Sequence, residues 1–308
     1  MICGPVDLTT SLQYNSPMQL QDISPKRIAV MAYLGSEDAS AVAVAIEDFL
    51  LQAGLSGIAR GTFHDLALES RVRAGEFDVL VALGGDGTVL RAGHLCAEAG
   101  IPILGINLGR FGFLAETQRG DWREAIAALV AGHYRIEERL ALNAEHHRSD
   151  TILNRSYVVN DVVIARGQFV RPIRIEAKVD GYTLTTYVAD GVIAATPTGS
   201  TAYALAAGGP IMPPELRNIL LIPVAPHLTM DRAIILSEGT NVELTAYTDH
   251  EAVMSVDGRP PIPLLDGDCV VVSASDRVVR FVRFQDPGYF YRNITAYMEQ
   301  NPSARIRS

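Results

Sequence analysis

The run Phe77-Asp78-Val79-Leu80-Val81-Ala82-Leu83 leads directly into Gly84-Gly85-Asp86-Gly87-Thr88. An apolar run of this length suits a strand buried on both faces, the kind found in parallel sheets covered by helices. The glycines end the strand, and a helix is expected from about residue 89 to 98. This unit calls for a layered α/β arrangement with the glycine loop beyond the strand's carboxyl end, where such sheets place their sites. The flanking sequence repeats the alternation. A strand is expected over 27–33, and a helix over 39–52 opened by Ser36-Glu37-Asp38 and ended by Gly54. A helical stretch over 66–74, a strand over 101–107 and a helix over 122–131 closed by Gly132 follow.

After about Leu140 the texture changes. Strands are expected over 156–164, 173–179, 182–188, 219–224, 233–236, 241–247, 252–256, 269–273 and 278–284, with Asp180-Gly181 as a hairpin turn. Short strands at this spacing predict a second, all-β domain. The fold class expected is therefore an α/β N-terminal domain with a mainly parallel, layered sheet. An all-β C-terminal domain and a helix packing back from residues 288–299 complete it. The domains expected are a polar, poorly ordered tail (1–24), a phosphate-binding α/β domain (25–139), a substrate-binding β domain (140–285) and a C-terminal segment returning to the first domain (286–308).

Charge narrows the partners. The net charge of −9 speaks against nucleic acid or an anionic membrane, which demand a basic face. A small anionic substrate remains open, because a few backbone amides, one Arg and a metal ion can hold phosphate on an acidic protein. Cys3, Cys96 and Cys269 make no CxxC pair, which points to a reducing, cytoplasmic setting with Cys96 and Cys269 in the core. No apolar run approaches the ~18 residues that span a bilayer, and no secretory signal opens the chain. His146 and His147 are neighbours, so on a strand they diverge and make no metal pair.

Within the glycine loop, Gly84, Gly85 and Gly87 let backbone amides converge on an anion, Thr88 is placed to cap the helix, and Arg91 lies one turn on. Asp86 is the odd member, since a bare carboxylate repels phosphate. It shares Mg²⁺ with the phosphates, accepts the proton of an attacking hydroxyl, or does both. The plainer alternative is a tight turn in which Asp86 caps the helix. Leu90 occupies the third glycine position of a dinucleotide fingerprint, and no GK[ST] follows.

A second stretch, residues 189–203, ends a strand at Pro197 and turns through Thr198-Gly199-Ser200-Thr201-Ala202-Tyr203 into a short helix. Its hydroxyls either cap that helix or hold a polar ligand, and Tyr203 either stacks on a base or fills the core. Asn160-Asp161, within an apolar strand, need partners if buried, from a ligand or from a neighbouring loop. His227 is a loop histidine.

Together these segments, with Leu104-Gly105-Ile106-Asn107-Leu108-Gly109-Arg110-Phe111-Gly112-Phe113-Leu114 and Pro226-His227-Leu228, resemble the NAD kinase family from about Lys26 onward. GGDG alone is shared with lipid kinases and phosphofructokinases; its combination with LGxxGFL and TPTGSTAY is specific. The resemblance implies transfer of phosphate from ATP, or polyphosphate in some members, to the 2′-hydroxyl of the adenosine ribose of NAD, with Mg²⁺ or another divalent metal. It implies that Asp86 is the catalytic carboxylate and a candidate metal contact, with Gly84, Gly85, Gly87, Thr88 and Arg91 at the phosphates. It places Asn160 and Asp161 on the adenine and a ribose, Asp190 near the nicotinamide, and Thr201, Ala202 and Tyr203 on the adenine beside Phe113. Gly87, Val188, Thr198, Ala206, Ala225 and Arg259 fall at further substrate positions, and a homodimer or homotetramer built through the β domain is implied. Asp161 stands where the family commonly has Glu, Ala206 where many members have Ser, and Val188 where Arg or Gly is frequent. A lipid-type kinase or a non-catalytic dinucleotide sensor are the alternatives; the polar turn 198–203 fits a nucleotide better than a lipid.

Overall fold

In the computed structural model, residues 24–109, 112–227 and 230–300 are described; of the tail expected over residues 1–24, all but Ser24 lies outside them. Ser24 is tied down, its hydroxyl donating to the Val130 carbonyl. The first half runs β1 (Arg27–Ala32), α1 (Glu37–Gln52), β2 (Gly57–Thr62), α2 (Leu66–Arg73), β3 (Val79–Leu83), α3 (Asp86–Cys96), β4 (Ile103–Asn107), β5 (Thr117–Gln118) and α4 (Trp122–Val130). Strands β2, β1, β3 and β4 are parallel neighbours in that order. Alternate residues of β3 serve opposite faces: Leu80 and Ala82 pack with α2 and α3, while Val79, Val81 and Leu83 pack with α1 and α4. A strand covered by helices on both sides has no polar face to show, which is why its sequence is uniformly apolar.

The second half contains β6 (Arg135–Arg148), β7 (Thr151–Val158), β8 (Asp161–Arg166), β9 (Ile173–Val179), β10 (Tyr182–Ala189), β11 (Gly191–Ala195) and a short helix α5 (Tyr203–Ala206). Then come β12 (Asn218–Val224), β13 (Ile234–Ser237), β14 (Val242–Tyr247), β15 (Ala252–Val256), β16 (Ile262–Leu264), β17 (Cys269–Arg283) and α6 (Tyr289–Gln300). Six antiparallel strands, β13-β12-β11-β8-β15-β16, form one sheet. It packs on the other through Leu142, Val162, Ile164, Ile175, Tyr187, Val192, Leu244, Met254 and Val272, all fully buried.

Three differences from the sequence expectation matter for the site. The two strands expected over 269–273 and 278–284 are one, β17, with a register shift between Ala274 and Val278. That strand pairs with β6 along its length, with β14 over residues 269–272, and meets β4 in parallel at Phe281 and Ile103. The two halves therefore share one continuous 11-stranded sheet. Finally, the strand expected over 156–164 is two, β7 and β8, broken at residues 159–160. Cys96 is buried as expected, but Cys269 is only half-buried. Among the described residues no helix is long and apolar enough to cross a membrane.

Where the halves join, three charged side chains are buried together. Glu137 Oε1 accepts from Arg139 Nε at 2.7 Å and from Arg283 Nε and Nη2 at 3.1 and 3.0 Å. Both guanidiniums also lie over the Phe281 ring, at 4.9 and 4.8 Å from its centre. Burial opposes the charge on Glu137, but the two guanidiniums outweigh it and hold the carboxyl well below the usual range. Arg283 Nη1 reaches on to the Leu114 carbonyl at 3.0 Å, and Glu116 accepts from the Phe284 amide. The start of α6 closes over this junction, sharing a small cavity with Phe113, Leu114 and Glu116. Glu137→Ala strands two buried cations, so denaturant titration should show a loss of about 3–5 kcal/mol. The exposed pair Arg280–Glu138 provides the control: Glu138→Ala should cost below about 1 kcal/mol.

Candidate functional site

The glycine loop is shorter than its sequence suggests. Helix α3 starts at Asp86 rather than near residue 89, with Gly85 as its cap and no capping side chain. Thr88 is therefore no cap. It lies in the first turn, its amide donating to Gly85 O at 2.9 Å and its side chain packed on Gly84. A Cβ at Gly84 would sit 2.3 Å from Thr88 Oγ1, so this glycine is needed for close approach. Gly85 and Gly87 are exposed, and the first N–H groups of α3 lack intrahelical partners, as in any anion-binding helix start. Arg91 follows one turn later and is already engaged, donating to Glu69 Oε1 at 3.0 Å. Gly87 and Arg91 stand where two clefts meet. One is lined by Tyr33, Phe63 and His64, the other runs along α3 to His94, Asp257 and Arg259.

Asp86 does not cap the helix. Its carboxylate turns toward the segment after β4, accepting from Phe113 N at 2.8 Å and Leu114 N at 3.2 Å. The approach is so close that a Cβ at Gly112 would lie 2.2 Å from Asp86 Oδ1. Two amides orient the carboxylate and leave it half-buried. Among the described residues no three His, Cys, Asp or Glu side chains gather to hold a metal. A single carboxylate at a phosphate cradle fits a Mg²⁺ that arrives with phosphates, not an ion caged by protein.

The second wall is the break between β7 and β8. The backbone amides of Val159, Asn160 and Asp161 all donate to the Asp257 carboxylate, at 2.8, 2.7 and 3.0 Å. His94 Nε2, from α3, lies 2.7 Å from the same group. The 196–201 turn folds against this break. Thr196 Oγ1 donates to Val159 O at 2.7 Å, and a Cβ at Gly199 would come within 2.0 Å of Asn160 O. Ser200 and Thr201 hydroxyls satisfy local carbonyls, so capping accounts for them. Two buried polar atoms here have no partner: Asn160 Oδ1 and Thr198 Oγ1. Tyr203 is 47% exposed, so it fills no core, while its backbone N–H binds the Asp161 carboxyl.

Val188, Asp190 and Ala225 lie elsewhere. Asp190 opens β11, whose other end carries Thr196, and it pairs with Arg166 at 2.9 Å. Val188 accepts from the His227 amide at 2.7 Å, and Ala225 takes a left-handed backbone, φ 47°. At ~3.3 Å per strand residue these positions stand roughly 16 Å or more from the 196–201 turn. Phe113 contributes its amide to Asp86 and its ring to the cavity under α6. Ala206 is exposed and Ala202 half-buried on the short helix side of the turn. His94 and Asp257 were not singled out from the sequence, and Gly112 entered there only as part of the 104–114 segment; Asp257-Gly258 has the chemistry of an ordinary turn.

Residues 8–134 match the family model described as the ATP-NAD kinase N-terminal domain, and residues 159–284 the ATP-NAD kinase C-terminal domain. The first match begins inside the stretch that the motif resemblance leaves uncovered. The NAD kinase of Heliobacterium modesticaldum is 42% identical over 228 residues, 74% of this chain and 81% of that protein. The NAD kinase of Chloroflexus aurantiacus is 37% identical over 276 residues, 90% of this chain and 99% of the relative. Among solved structures, a yeast NADH kinase complexed with NADH superimposes with a TM-score of 0.75 at 24% identity, covering 92% of this chain and 91% of that one. An NAD kinase from Archaeoglobus fulgidus in complex with ATP gives 0.70 at 24% identity, covering 89% and 99%. At that identity the two structures speak for the fold.

Burial and the adjacent Asp257 charge push the Asp161 carboxyl up to about 7, against the pull of the Tyr203 amide. The folded chain thus keeps a proton that the unfolded chain has lost between about pH 4 and 7. Stability from this group is complete below about pH 4 and lost as pH rises through 7. The unfolding free energy of the unliganded protein should fall from pH 5 to pH 8 by roughly 2–3 kcal/mol. Asp161→Asn should flatten that dependence; an unchanged slope would show Asp161 ionised throughout.

Proposed function

The chain belongs to the NAD kinase family, and from that premise we propose that it transfers the γ-phosphoryl group of ATP to the 2′-hydroxyl of the adenosine ribose of NAD. The observation that carries this reading is the pairing of two walls along α3. On one, a carboxylate is held in place by two backbone amides; on the other, Asn160 Oδ1 and Thr198 Oγ1 are buried with no partner. Buried polar atoms without partners are costly unless a ligand satisfies them. An adenine edge offers the required donors and acceptors, with exposed Tyr203 beside it to stack. Asp161, Ala202 and Thr201 complete this wall.

Asp86 then faces a ribose hydroxyl. The amides of Gly85 and Gly87, with Arg91, orient the phosphate chain at the start of α3, and Gly84 and Thr88 set the turn. The 2′-oxygen forms its bond to the γ-phosphorus as the bond to the β,γ-bridging oxygen breaks. The hydroxyl proton passes to Asp86, and ADP leaves. A divalent cation carried with the donor's phosphates, within reach of Asp86, would offset their charge. Polyphosphate fits the same open cleft as an alternative donor. Val188 on β10, Asp190 just before β11 and Ala225 just after β12 sit by the far end of β11, too far to serve this cleft within one copy. A homodimer or homotetramer would bring them to the nicotinamide end of a substrate in another copy's cleft. The setting we assign is cytoplasmic.

Purified protein incubated with NAD, ATP and Mg²⁺ should yield a product that a strictly NADP-dependent dehydrogenase accepts. Asp86→Asn should lower turnover by about 10²–10⁴-fold with NAD affinity nearly kept. Near-normal turnover by a folded Asp86→Asn protein would remove Asp86 as the base. NAD binding without product in the unaltered protein would favour a sensor, and neither binding nor product would favour a kinase for another acceptor.

A further inference from the structure

One heavily engaged carboxylate, Asp257, has no part in the mechanism above. The Asp257 side chain is 1% exposed. Its Oδ1 accepts from Asn160 N and Asp161 N, and its Oδ2 from Val159 N, with His94 Nε2 against the same oxygen. Its own amide closes the loop by donating to Asp161 O at 2.9 Å. To make these contacts it takes a left-handed backbone, φ 50°, followed by Gly258 at φ 68°. That conformation is uncommon for a residue with a side chain and persists where surrounding contacts over-determine it.

The identity of the partners points to a purpose. Three of the four donors are the consecutive amides that carry Asn160 and Asp161, the residues assigned to the nucleoside. The fourth comes from α3, two turns beyond Asp86 and on the same rigid rod, roughly 12 Å along its axis. Helix α3 also packs tightly here, since Gly93 has Val159 at 3.5 Å from where its Cβ would be. A buried carboxylate is expensive to desolvate and gains little net stability even when well paired. Its placement, linking the helix of one wall to the amides of the other, is what an apolar filler could not reproduce.

We propose that Asp257, through His94, is a positioning residue that sets the register between Asp86 and the Asn160–Asp161 pair. The inference rests on the function proposed above. His94→Phe keeps the ring volume and the edge contact with Tyr157 but removes the donor; His94→Gln retains an N–H. His94→Phe should lower kcat about 10–100-fold, the effect of misplacing a bound substrate by a fraction of an ångström to an ångström. Its NAD dissociation constant, by calorimetry, should stay within about threefold of wild type, and His94→Gln should recover most of the rate. Asp257→Asn turns an amide NH₂ toward the Val159 N–H, so NAD affinity should fall at least about tenfold. Hydrogen exchange at amides 159–161 reads the link without catalysis, and should quicken in His94→Phe and Asp257→Asn while β11 stays protected. His94→Asn, too short to reach Asp257, gives the same reading should the phenylalanine variant fail to fold. A folded His94→Phe protein with wild-type kcat, or unchanged exchange at 159–161, would overturn the proposal. If wild type makes no NADP, the function is at fault, and the exchange measurement still decides for or against the link.

Discussion

The contact on which the rest depends is that of the Asp86 carboxylate with the amides of Phe113 and Leu114. A carboxylate beside a phosphate cradle is repelled by the ligand it must approach, so its direction has to be imposed. Here two N–H groups impose it, and Gly112 is the residue that lets the oxygen come close enough. The other side of that segment is held in turn. Arg283 grips the Leu114 carbonyl while its remaining nitrogens are locked onto Glu137. Because Arg283 ends β17, the strand joining the two halves, the direction of the Asp86 carboxylate is tied to the sheet itself.

The site's three buried or half-buried acids illustrate how environment assigns roles within an acidic chain. Asp86 has two amides and an open side. Asp257 has three amides and a histidine and no open side, which suits a structural anchor. Asp161 has one amide and a charged neighbour, and its carboxyl is pushed up to about 7. A neutral Asp161 can donate a hydrogen bond as well as accept one. How many donors each one meets is what sets the three environments apart.

Much of this was legible in the residues. Uniformly apolar β3 and β4 announced a sheet covered on both faces, the Gly54 and Gly132 stops bounded their helices, and Asp180-Gly181 marked its hairpin. Three things were not. Strand β6 was not among the expected strands, because its start, Arg135-Ile136-Glu137-Glu138-Arg139, is mostly charged and sequence does not reveal that Glu137 and Arg139 bury each other's charge. Strand β17 looked like two, because Ser275-Asp276-Arg277 resembles a turn and is an irregularity in a long ladder. The partners of the site residues were hidden most completely. Asp257 lies about 96 residues from Asp161, and nothing local in Asp257-Gly258 distinguishes a buried clamp from an ordinary turn. Residue types named the chemistry; only long-range pairing showed which carboxylate stands where.

The most direct test is a crystal structure of the protein with NAD and a non-hydrolysable ATP analogue. The account predicts the adenosine 2′-oxygen within about 2.6–3.2 Å of an Asp86 carboxylate oxygen. The adenine should satisfy Asn160 Oδ1 and Thr198 Oγ1, and the γ-phosphate should lie at the start of α3. Adenosine bound with its 2′-oxygen out of reach of Asp86, or with both of those atoms still unpartnered, would contradict it.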